Sequence, residues 1–193
     1  MELPVTHIID RGAGRRSAAE RRIRWAHILS TATLVVMAIA VAGSLWIWLD
    51  PELVRRVLAP RIGLAGHPVT VTPGIQALGI ALSAPPLALL IYLLMQARAV
   101  FAGFTTGISF SDLVAVRVWR IGAILVVKGL LSPFWRAGAG ALLTIANPSG
   151  QRVIVLEIGI DDMLWAIVGG LLVAIGWTLR EAARIAEENA GFV

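Results

Sequence analysis

Lys128, Ser132 and Arg136 stand four residues apart within "LVVKGLLSPFWRAG" (125–138), a stretch that is otherwise almost wholly apolar. Spacing by four places all three on one face of a helix. An ammonium, a hydroxyl and a guanidinium on one face are groups that bind anions. Lys128 is also the only lysine in a chain with sixteen arginines. Other chemistry finds little support. There is no H-E-x-x-H, no G-x-S-x-G and no phosphate loop. The histidines, His7, His27 and His67, are scattered, and the absence of cysteine excludes thiolate catalysis, disulfides and cysteine-ligated metal. The sequence therefore predicts a non-enzymatic protein with no metal site and no cofactor.

The elements that carry these side chains are written in the composition. The chain of 193 residues is 58% hydrophobic and only 15% charged. Soluble domains are about 45–50% apolar and about 25% charged. The apolar residues come in blocks long enough to cross a bilayer core, which takes about 20 residues. Four such blocks lie at 27–49, 73–97, 118–146 and 162–183. The fold class is thus an all-α membrane protein with four transmembrane helices in a single domain from 27 to 193, preceded by a basic tail at 1–26. "AVAG" at Ala40–Gly43 imitates a signal cleavage site, but the apolar run continues to Leu49, so a retained span is expected.

Eleven basic residues fall on one side of these spans and four on the other. The positive-inside rule then places both termini in the cytoplasm. Arg15, Arg16, Arg21, Arg22 and Arg24 form the densest part of the basic side. Such a tail suits anionic lipid headgroups or a protein partner. Direct nucleic-acid binding is not expected, because no aromatic interleaving accompanies the arginines.

Lys128 lies about 14 Å beyond Trp119 along a helix, near the membrane midplane. A lysine there costs about 2.5–3.5 kcal/mol on insertion scales and must find polar company. No acidic residue stands at its depth in another span. The expected acceptors are Ser83, Ser132 and the carbonyls freed by Pro85 and Pro86, so the amine is expected to point towards the Pro85–Pro86 break. Arg136, further out, is expected to snorkel to the outer surface. A ligand or anion site would then comprise Lys128, Ser132, Arg136 and Ser83.

The last span carries a strip of small side chains every four residues, Ala166, Gly170, Ala174 and Thr178, continuing through Ala182. Small residues let helices approach closely where the hydrophobic effect cannot drive association. The strip is read as packing within the four-helix domain or as contact with another membrane protein. Trp25, Trp119 and Trp177 suit an inner aromatic belt, and Trp46, Trp48 and Trp165 an outer one. "DPELVRRVLAP" reads as a short capped helix on the outer membrane surface, stopped by Pro60. "HPVTVTP" and "QRVIVLEIG" are β-branched and read as an outer hairpin-like pair. "SFSD" (109–112) reads as a capping box opening the third helix.

The second half resembles the bacterial membrane proteins of domain-of-unknown-function family 2975. The matching stretches are "FTTGISFSDLVAVRVWRIG" and "DDMLWAIVGGLLVAIGWTLREAARIAEENAGFV", about 90 residues in all. The resemblance implies a bacterial inner-membrane location, four spans and cytoplasmic termini. It also implies a regulatory or interaction role beside a helix-turn-helix transcription regulator, and it carries over no catalytic residue. The alternatives are an accessory subunit of a larger membrane complex, or a small transporter or ligand-binding protein using Lys128.

Overall fold

The computed structural model describes the backbone of residues 6–103 and 112–190, with the side chains of residues 6–23, 25, 26, 186, 187, 189 and 190 left aside. Four long helices account for most of it: α1 (Thr6–Leu49), α4 (Pro73–Gly103), α5 (Asp112–Thr144) and α6 (Ile160–Ala190). Two single turns, α2 (Pro51–Leu53) and α3 (Ala59–Arg61), flank a π-helical turn at Val54–Leu58. Helix is the only backbone state in which an apolar segment satisfies its own hydrogen bonds inside lipid. Segments His27–Leu49, Pro73–Gly103 and Ile160–Ile185 are long and apolar enough to cross a membrane. The chain is accordingly a multi-pass integral membrane protein. α5 is equally long, carries Lys128 and Arg136, and is not among these segments.

The long helices form a row. α1 packs on α4, α4 on α5, and α5 on α6, while the non-consecutive pairs make no comparable contact among the described residues. Neighbours run antiparallel. Trp48 near the end of α1 meets Ser83 of α4, and Ser30, a third of the way back, accepts from Arg98. Arg117 near the start of α5 donates to the Ala99 carbonyl near the end of α4. A row buries less of each helix than a closed bundle does. Leu34, Ile39, Leu130, Phe134, Ile167 and Leu171 all remain broadly exposed. In a membrane those faces meet lipid or protein.

The best-buried part of the molecule is a cap at one end of the row. Trp48, Val54, Ala59, Ile62, Leu64, Ile75, Ala139 and Leu143 form its core. Asp50 caps the short helical segment by accepting from the Glu52 N–H. The segment does not lie on a membrane surface with its apolar face in lipid. Val54 is fully buried, and Leu58 packs against the core. Nor does Pro60 stop it, since the last turn runs on to Arg61. Gly63 ends it with φ of +82°, where a side chain would also strike Val155. Trp48 likewise leaves the aromatic belt. Its ring lies directly against Gly79, and its indole donates to the Ser83 hydroxyl at 2.8 Å.

The two β-branched stretches do not form a sheet, and no strand occurs among the described residues. One buried amide does the joining instead. Asn147 accepts from the Thr70 hydroxyl at 2.6 Å and donates to the Pro68 carbonyl at 2.7 Å. Thr144, also buried, accepts from the Val153 N–H. Each extended segment is held by these side chains, with the Thr70 N–H donating to the Leu143 carbonyl. Of the "SFSD" motif, Ser109–Ser111 lie outside the described residues, and Asp112 opens α5.

Candidate functional site

The closest helix pair is α5 with α6, and glycine makes it so. Gly122 and Gly129 on α5 face Gly169 and Gly176 on α6, each pair seven residues apart. A Cβ on Gly122 would stand 2.6 Å from the Gly169 carbonyl oxygen. One on Gly129 would stand 2.5 Å from the Asp162 carbonyl oxygen, one on Gly169 2.6 Å from the Val126 nitrogen, and one on Gly176 2.6 Å from the Trp119 nitrogen. Backbone lies against backbone over four successive levels. A seven-residue period holds one face along two antiparallel helices. The seam therefore uses Ala166, Gly169 and Gly176; of the strip expected from the every-fourth-residue pattern, Ala166 lies in it and the other three do not. Gly170 has no neighbour within 4 Å, and Ala174 and Thr178 are exposed. The every-four count follows a stripe that drifts off the contact face, whereas the every-seven count stays on it.

At the cap end the seam is closed by charge. Asp162 is only 4% exposed. It accepts from Arg136 through both carboxylate oxygens and from the Gly159 N–H at 2.9 Å. Arg136 also donates to the Ser132 hydroxyl at 3.2 Å and to the Glu157 carbonyl at 2.8 Å. Asp162 thus does two jobs at once: it caps the start of α6, and it neutralises a cation on α5. Arg136 is held at this end of the hairpin by Asp162 and the Glu157 carbonyl. The signal for this pair is the antiparallel hairpin itself, which brings the end of one span and the start of the next to one depth.

Lys128 stands about two turns deeper than Arg136 along α5. Its Nζ lies 3.9 Å from the centre of the Trp165 ring, a cation–π contact with α6. The amine does not point to the Pro85–Pro86 pair, and Ser83 is taken by Trp48 on the far side of the row. Both prolines lie within an uninterrupted α4. Of the four residues proposed as one anion site, the structure joins Ser132 and Arg136 directly, sets Lys128 on the neighbouring ring and leaves Ser83 apart. With Arg136 neutralised by Asp162 and Lys128 covered by an indole, these groups hold helices together and present no open anion site. Beside them runs a groove of about 390 Å³ lined by Leu130, Pro133, Phe134, Leu156, Ile158 and Ile167, with Asp162 as its one charged group.

No family model, curated protein or solved structure matches the chain. Among the described residues no group of His, Cys, Asp or Glu is placed to hold a metal ion. Of the arginine tail, Arg24 is exposed, while the side chains of Arg15, Arg16, Arg21 and Arg22 lie outside the described residues.

Proposed function

We propose that the chain is a non-enzymatic partner subunit of the bacterial inner membrane, crossing it four times with both termini in the cytoplasm, and that it docks on another membrane protein through α6. The observation that carries this is the outward-facing strip Gly170, Ala174 and Thr178 on a terminal helix of an open row. α6 spends one small-residue face on α5 and keeps a second that nothing among the described residues covers. In lipid, such a face gains from close approach of another helix. α5 serves as the fourth span in this reading, its two cations matched by Asp162 and Trp165.

The resemblance to family 2975 supports a regulatory role for this partner, with the Arg15–Arg24 tail facing the cytoplasm. The test uses the lack of cysteine. A single thiol at Ala174, carrying a short photo-crosslinker, should give one discrete protein adduct in native membranes. The same probe at Leu130, exposed on α5, should label lipid alone. Lipid adducts alone at Ala174 would end the docking proposal.

A further inference from the structure

At the end of the seam opposite Asp162, α5 and α6 enclose a second cavity, about 610 Å³, lined by Val116, Trp119, Arg120, Gly176, Trp177 and Arg180. We infer that this mouth binds the phosphodiester headgroup of an anionic phospholipid. Three observations carry the assignment.

The first is unspent donors. Arg120 is exposed and makes no hydrogen bond or ion pair with the described residues. Among the described residues Arg180 spends only its Nε, on Asp112 at 3.2 Å, and its side chain is broadly exposed. Two guanidinium forks beside one cavity match the paired oxygens of a phosphodiester.

The second is depth. About 26 Å of helix separates Trp119 from Arg136. That is close to one hydrocarbon thickness of about 30 Å. With Arg136 and Asp162 at one boundary, Arg120 and Arg180 stand at the other, at headgroup height. Trp119 and Trp177, 47% and 73% exposed, flank them as interfacial indoles do.

The third is the rigidity and sign of the place. Gly176 sits directly on the Trp119 backbone, so the spacing of the two arginines is set by the seam. Arg24, Arg98 and Arg117 lie at the same end and outweigh its carboxylates, since Arg184 is paired there with Glu181 and Glu188, and Asp112 with Arg180. A lipid fits better than a free anion, because acyl chains would continue along the exposed indoles and the apolar flank of α5 below them.

The inference rests on α5 spanning the bilayer. Its test uses detergent micelles, so it reads lipid binding whatever the orientation of the chain in the cell. The full chain in neutral maltoside micelles is titrated with phosphatidylglycerol, with phosphatidylcholine and with inorganic phosphate, and its melting temperature is followed. Phosphatidylglycerol should raise it; the other two should not. Arg120→Gln should melt like the parent without added lipid and need roughly tenfold more phosphatidylglycerol, as expected for one charge-assisted contact. Arg180→Gln provides the same reading should Arg120→Gln fail to fold. Arg61→Gln, at the cap end, should respond as the parent does. An equal shift with phosphatidylcholine, a shift with inorganic phosphate alone, or a full phosphatidylglycerol response in both Arg120→Gln and Arg180→Gln would overturn the inference.

Discussion

At the scale of single residues, the Arg136–Asp162 pair is the most consequential contact. A buried ion pair is a modest net stabiliser, but losing one partner strands the other. Asp162→Ala should therefore cost about 3–5 kcal/mol, read by chemical unfolding in micelles. The double variant Arg136→Met with Asp162→Leu should recover most of that loss. If it does not, the Glu157 and Gly159 contacts matter more than the charges. Lys128 is a milder case. Its partner is a ring face, worth about 0.5–2 kcal/mol, so Lys128→Met should leave stability within that range. A larger loss would show Lys128 holding something besides Trp165. The presence of cations in this helix can be read from sequence, and so can their helical face. Their partners cannot, because Trp165 and Asp162 stand on another helix, and only the depth at which the helices cross brings them together. The same limit applies to Trp48, whose type suits a membrane belt and whose place under Gly79 is a tertiary fact.

At the scale of elements, the seam separates two neighbouring glycines. Gly169→Ala puts a methyl into the Val126 backbone, and overpacking of that kind costs about 1–3 kcal/mol. Gly170→Ala meets nothing, and relieving a mid-helix glycine should gain up to about 1 kcal/mol. Unfolding of the two variants side by side checks the assignment; equal effects would show that the helices do not meet along the Gly122–Gly176 face. Apolar length marks His27–Leu49, Pro73–Gly103 and Ile160–Ile185 in sequence because lipid imposes that length on every span. The contact face is harder to read. A strip of small residues every four positions and another every seven coexist on α6, and both are compatible with helix packing. The extended outer stretches misled for a different reason. β-branched residues favour extended backbone, but pairing also needs free backbone groups, and here the Pro68 carbonyl is taken by Asn147, the Thr70 N–H by the Leu143 carbonyl and the Val153 N–H by Thr144. Asn147→Ala should cost about 1–3 kcal/mol, by leaving the Pro68 carbonyl and Thr70 hydroxyl without their partner.

For the molecule as a whole, the proposed topology makes a direct prediction. Reporter fusions at Gly66 and Ser149 should read as external and a fusion at Val193 as cytoplasmic; an external carboxy terminus would contradict it. The order of the long helices in the row follows their order in the chain, so among the described residues every large contact joins consecutive long helices. That has a consequence for how the protein is made. α1 and α4 are apolar enough to leave the insertion machinery unaided, whereas α5 carries Lys128, costing about 2.5–3.5 kcal/mol near a membrane centre, and Arg136 closer to the boundary. Their compensation, Asp162 and Trp165, is synthesised only with the start of α6. α5 must then wait at the exit and enter lipid together with α6 as one hairpin, with the carboxylate arriving just as the guanidinium leaves water. A nascent chain ended after Gly159 should leave α5 accessible to water-soluble thiol reagents through a cysteine at Val127, and extending the chain past Trp177 should close off that access.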